Sequence, residues 1–242
     1  HDPAAVEAVA RPQIREEKLP ALSLDELASK RTALLTAYQN AAYAERYRAF
    51  VEKVASAEKA RAKGRTGLAE TVARSLYKLM AYKDEYEVAR LYTDGDFEKK
   101  LRAQFEGDFK LKFNLAPPLL ADRDPATGEL KKGEYGPWVF SMFRVLAKLK
   151  GLRGTAFDIF GYSEERRTER RLIGEYMETM SEILGKLDQS NHALAVQIAG
   201  LPETIRGFGH VKEKNLHKAK EREANLLALF RSPAVPPAMA AE

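Results

Sequence analysis

The chain contains no cysteine. Disulfides, thiolate zinc sites and the cysteine ligands of iron–sulfur clusters are therefore out of its reach, and it cannot carry electrons through thiol chemistry of its own. It also lacks any run of about 18 consecutive apolar residues, the length a membrane-spanning helix requires. Paired histidines at metal-ligand spacing, a glycine-rich phosphate loop behind a strand and a nucleophilic serine motif are missing as well. No membrane role is expected from such a chain.

Its charge is nearly balanced. Forty basic against thirty-five acidic residues leave +5, a mild excess that by itself implies no nucleic acid. With 242 residues, 45% of them hydrophobic and 31% charged, the chain can bury a core of its own and reads as a soluble, cytoplasmic globular protein. His1 opens it with neither a methionine nor a charged-then-apolar leader, which reads as the edge of an excised fragment.

Residues 1–22 hold Pro3, Pro12 and Pro20 among alanines and charges, and 232–242 read SPAVPPAMAAE, so both ends are expected to be linkers or frayed tails around one domain, 23–231. Ser23 with Glu26 makes a capping box, opening a helix expected to run to Arg61. Its inner stripe is Leu27, Leu34, Tyr38, Ala41, Tyr43, Tyr47, Phe50 and Val54. Gly64 and Gly67 end it. A second helix buries Leu68, Val72, Leu76, Leu79 and Met80, and a short third follows a turn at 93–96.

At Phe109, Leu111, Phe113 and Leu115 the period changes to two, predicting a strand whose partner lies near 129–135. Pro137 then suits the first turn of a helix that buries Trp138, Met142, Val145 and Leu149 and turns Ser141, Arg144 and Lys148 outward. Ser163 caps a long helix with Leu172, Ile173, Tyr176, Met180, Ile183 and Leu184 inside. Two more helices, about 190–199 and 211–231, complete a mainly α, multi-helix domain with at most one small β-hairpin.

Three places could carry chemistry. In GFGHVKEKN, at 207–215, Gly207 and Gly209 permit unusual backbone angles, and His210 and Lys212 stand at a helix start where N–H dipoles favour an anion. The structural alternative is a plain glycine turn in which His210 satisfies a buried carbonyl and Lys212 is solvated. The acid-free run 135–157 carries Arg144, Lys148, Lys150 and Arg153, a positive field that suits an acidic electron carrier or the phosphates of coenzyme A, or else an ordinary solvated face. Its aromatics Trp138 and Phe143 follow core spacing rather than that of a nucleic-acid stacking platform. Lys78, Tyr82, Lys83, Asp84 and Glu85 form a third cluster, read as proton-transfer groups or as a local salt-bridge set. Asp94-Gly95-Asp96 is read as a turn and helix cap, because the asparagine pair of a diphosphate-binding motif does not follow it.

Six stretches, in order, carry a resemblance. They are YQNAAYAERY at 38–47, YKLMAYKDEYEVARLY at 77–92, APPLLADRDPATG at 116–128, GPW at 136–138, GLRGTAFDIFGY at 151–162 and GFGHVKEKN at 207–215. Together they resemble the C-terminal domain of the fused bacterial indolepyruvate ferredoxin oxidoreductases, over residues 34–231. The resemblance implies a parent enzyme that oxidatively decarboxylates aryl-2-oxo acids with thiamine diphosphate, magnesium, an iron–sulfur cluster and coenzyme A, passing electrons to ferredoxin and working as a homo-oligomer. This segment would hold none of those cofactors and no catalytic or metal-binding residue, and would meet the enzyme's other domains, with ferredoxin a further candidate partner. The competing reading is a stand-alone helical module that docks on an acidic protein.

Overall fold

The computed structural model describes residues 22–104, 112–115, 133–207 and 209–232. The predicted tails, the strand residues Phe109 and Leu111 and the turn at 124–128 lie outside them. Among the described residues the elements are α1 (Leu24–Tyr38), α2 (Ala41–Arg61), α3 (Leu68–Met80), α4 (Glu85–Thr93), α5 (Asp96–Gln104), β1 (Phe113–Leu115), β2 (Gly133–Tyr135), α6 (Val139–Lys148), α7 (Glu164–Lys186), α8 (His192–Ala199) and α9 (Gly209–Arg231). Short 3₁₀ turns at Leu149–Leu152 and Leu201–Thr204 follow α6 and α8. The protein is mainly α, with one two-stranded antiparallel ladder among the described residues, pairing Phe113 with Tyr135.

The expected long first helix is two. Asn40 is extended, and its side chain accepts the Tyr43 N–H at 2.9 Å, so it caps a new helix while Gln39 ends the old one. The break lets α1 and α2 fold against each other, each with its own phase. Leu35 is therefore buried in place of Leu34, and Ala41 faces out. The capping box of α1 and the N-cap of α7 form as predicted, with Ser23 and Ser163 accepting the N–H groups of Glu26 and Arg166, and so do the inner stripes of α3 and α7.

Two apolar clusters result. The larger joins α1, α2, α3, α7, α8 and α9 around Leu35, Tyr47, Val54, Leu68, Leu76, Met180 and Ile183, all essentially inaccessible. The smaller is aromatic. Phe113 of β1, Val139 and Phe143 of α6 and Ala89 of α4 pack with Tyr92 and Phe140, and the Tyr92 ring stacks on Phe143 at 5.4 Å between centroids.

That small core turns α6 by about one residue from the predicted orientation. Val139 and Phe143 face inward, whereas Trp138, Val145 and Leu149 stand 56%, 61% and 42% exposed. The 4-3-4 spacing that marked a buried face instead marks an open one.

Inside the large core sits a buried acid. Glu58 continues the α2 stripe past Val54, and its carboxylate accepts the first N–H groups of α3, from Leu68 at 2.8 Å and Ala69 at 2.9 Å. His192 Nε2 lies 2.7 Å from the same carboxylate. Gly67, at φ +107°, provides no side-chain cap, so Glu58 does its work from another helix. Glu58→Ala orphans both amides and His192, at about 1–3 kcal/mol for each group left unsatisfied. Chemical denaturation should show a loss above about 3 kcal/mol, with Glu58→Gln intermediate because its amide keeps one acceptor oxygen and sets an NH2 donor against the other backbone N–H; a loss below about 1 kcal/mol for the alanine variant contradicts this role.

Candidate functional site

The tyrosines of YQNAAYAERY each satisfy a carbonyl of α3 or its exit. Tyr38 donates to the Tyr82 carbonyl at 2.9 Å, Tyr43 to Met80 at 2.9 Å and Tyr47 to Ala73 at 3.1 Å. Met80 and Tyr82 lie at and just past the end of α3, where helical carbonyls have no partner within the helix. Burial is the main force raising all three phenol pKa values, Tyr47 to about 12, so these groups remain donors at neutral pH.

Beyond that exit stands Asp84, whose Oδ1 caps α4 by accepting the Glu87 N–H at 2.8 Å. Arg153 grips the same carboxylate with two prongs, Nε to Oδ2 at 2.5 Å and Nη2 to Oδ1 at 2.9 Å. Its third nitrogen, Nη1, donates to the Tyr38 carbonyl at 2.7 Å, and its guanidinium lies 3.6 Å from the centre of the Tyr38 ring. Lys150, one turn earlier, donates to the Ala37 carbonyl at 2.5 Å. Two cations thus meet the carbonyl end of α1, where the helix dipole is negative.

GLRGTAFDIFGY folds around a second buried carboxylate. Asp158 accepts the Gly154 N–H at 2.7 Å, the Gly161 N–H at 3.0 Å and the Tyr86 hydroxyl at 3.2 Å. Gly154 takes φ +78°, and a Cβ on Gly161 would stand 2.4 Å from Asp158 Oδ2, so the motif needs glycine at both ends. Arg170 of α7 closes the loop, donating to the Gly161 carbonyl at 2.5 Å.

A chain of alternating charge continues from there. Arg166 Nε lies 3.7 Å from Glu85 Oε2, and its Nη1 bonds Glu169, which also receives Lys212 from α9. Glu85 Oε2 has no hydrogen-bond partner. Burial pushes the Glu85 carboxyl above its ordinary value of 4.5, with Arg166 pulling the other way.

Sequence-predicted positions thus divide. Arg153 is buried and paired, and Lys150 caps α1, so the positive run narrows to exposed Arg144 and Lys148. Lys212 is held by Glu169 and lies 3.8 Å from Glu165, rather than solvated or free for an anion. His210 is exposed, whereas the structural alternative had it satisfy a buried carbonyl, and Gly207, at φ +98°, makes the turn that precedes α9. Phe208 lies outside the described residues. Lys78 leaves its expected cluster to donate to the Pro202 carbonyl at 2.8 Å. Asp94 receives the Asp96 N–H at 3.1 Å and faces Arg90 at 3.6 Å. Among the described residues no group of three His, Cys, Asp or Glu side chains is gathered as a metal site. Sequence reasoning passed over Glu58 and His192; the one signal was an acid at the next inward position of the α2 stripe, four residues after Val54.

Residues 24–225 match the model of a family of unknown function, DUF6537, and the chain belongs to that family. No curated protein and no solved structure matches it.

The arrangement is a polar seam in which residues distant in sequence neutralise one another. Arg153→Met leaves Asp84 buried without its counter-charge, so the unfolding free energy should drop by about 3–5 kcal/mol. Arg153→Lys should recover only part, since an ammonium cannot make the two-pronged contact; full recovery by lysine contradicts the geometry. Glu85 gives a pH signature. Between pH 4.5 and its raised folded value, the folded state holds a proton that the unfolded chain has released, so stability falls as pH rises through that window. Glu85→Gln should therefore raise the melting temperature at pH 8 and progressively less towards pH 4.5. A difference independent of pH would contradict the assignment.

Proposed function

We propose that the chain is the helical C-terminal domain of an indolepyruvate ferredoxin oxidoreductase, and that it serves there in packing and contact between domains while catalysis belongs to the rest of the enzyme. The observation that carries this reading is where the resemblance residues go. Tyr38 and Tyr43, then Tyr82 to Tyr86, then Arg153 to Gly161, and finally Lys212 come from four separate stretches of the chain, and they meet in one buried seam. Their acids and bases are engaged chiefly with one another and with backbone groups, which suits a scaffold more than an open reaction centre.

The thiamine diphosphate, magnesium, iron–sulfur cluster, coenzyme A and ferredoxin of the parent enzyme belong to this proposal as partners of other domains. A second reading, a stand-alone helical module that docks an acidic protein, draws on the open face of α6 with its exposed Arg144 and Lys148.

Complementation separates the two. An indolepyruvate ferredoxin oxidoreductase cut back to the residue before this domain should lose assembly and the oxidation of aryl-2-oxo acids, and adding the 242-residue chain in trans should restore both. Calorimetry of the chain alone with thiamine diphosphate and magnesium should show no specific heat. A truncated enzyme that assembles and turns over normally contradicts the proposal, and micromolar binding of the cofactor would move catalysis into this domain.

A further inference from the structure

The outer face of α6 has the pattern of a buried helix and, among the described residues, lacks a cover. Trp138, Met142, Val145 and Leu149 follow one another at steps of four, three and four, the spacing by which one helix packs on another. Met142 leans on the small aromatic core, but Trp138, Val145 and Leu149 are exposed, three large apolar side chains in one stripe. Exposed apolar residues scattered singly need no explanation; a stripe in register with helix packing does.

The flank of that stripe is charged. Ser141, Arg144 and Lys148 follow each other at steps of three and four along one side of it, and all three are exposed. From 135 to 157 the sequence contains no aspartate or glutamate. Among the described residues neither Arg144 nor Lys148 has an ion-pair partner, whereas Lys150 and Arg153 of the same run are spent on the end of α1 and on Asp84. The helix therefore presents an apolar seam with a cationic edge.

We infer that this face of α6 docks an acidic amphipathic helix of another domain or protein, with apolar residues in helical register against Trp138, Val145 and Leu149 and carboxylates against Arg144 and Lys148. Helix-in-groove recognition uses such anchors, with charge on the rim setting partner choice. A second copy of the same face is disfavoured because a two-fold pairing would bring Arg144 and Lys148 of both chains to one seam. Single-stranded nucleic acid is disfavoured because two cations and the aliphatic Val145 and Leu149 make neither a phosphate track nor a stacking platform. The inference stands whether or not the parent protein is an oxidoreductase.

Trp138 is the chain's single tryptophan, so its emission reports on this face alone. The probes are two designed helical peptides with leucines at four-three-four spacing, flanked in one by glutamates and in the other by lysines. Titrating the glutamate peptide into the 242-residue chain should shift Trp138 emission to the blue and saturate at one peptide per chain, while the lysine peptide should not bind. Arg144→Glu with Lys148→Glu should weaken the glutamate peptide by about tenfold or more and admit the lysine peptide. That reversal distinguishes lost recognition from lost folding, because an unfolded variant gains no new partner. The inference is overturned if the glutamate peptide causes no shift, or if both peptides bind alike. It is equally overturned if Trp138 is already blue-shifted in a self-associated chain, or if an oligonucleotide competes the glutamate peptide away.

Discussion

Arg153 closes the seam between two apolar cores. The large core holds α1 to α3 with α7 to α9, and the small aromatic one holds α4, α6 and the β-ladder. Arg153 comes from the chain that leaves α6, yet its guanidinium reaches the last carbonyl of α1 and the N-cap carboxylate of α4. A charge so buried costs several kcal/mol to desolvate, and it is tolerated because all three of its nitrogens are used and an aromatic face covers it. Replacing a buried ionic pair of this kind with well-packed apolar side chains is often neutral for stability, whereas removing one partner alone is costly because it strands the other charge.

The rest of the polar architecture follows the same economy. Helix ends that meet in the interior have donors or acceptors brought to them from other helices: tyrosine hydroxyls at the exit of α3, Lys150 and Arg153 at the end of α1, Glu58 at the start of α3, and Arg61 at the carbonyls of Leu184 and Gly185 near the end of α7. These long-range caps explain why the most distinctive stretches of sequence are rich in tyrosine, aspartate, arginine and glycine without spelling a catalytic motif. They also separate inside from outside. Among the described residues the face of α6 is one surface open to a partner, its apolar and cationic side chains not engaged internally.

Much of this was legible in the sequence, and the failures have physical causes. Capping residues and the stripes of α3 and α7 were readable because each of those helices meets one core along one face. The break at Asn40 was not, since a good N-cap inside an apolar stripe leaves the helical period intact on both sides. The face of α6 was misassigned because periodicity reports that a stripe packs against something, not that its cover belongs to the same chain. Arg153 read as surface charge because arginine usually is; only the distant Asp84 and Tyr38 make its burial possible. Glu58 and His192 are 134 residues apart, beyond any spacing argument.

Native-state hydrogen exchange tests most directly whether the Asp84–Arg153 pair ties the two cores together. In Asp84→Ala, amides of α4 and α6 should exchange through a sub-global opening at lower free energy, while the central amides of α2, α3 and α7 keep exchanging at the global limit. If all these helices lose protection by the same amount, or if α4 and α6 are unaffected, the pair is not the clasp between the cores.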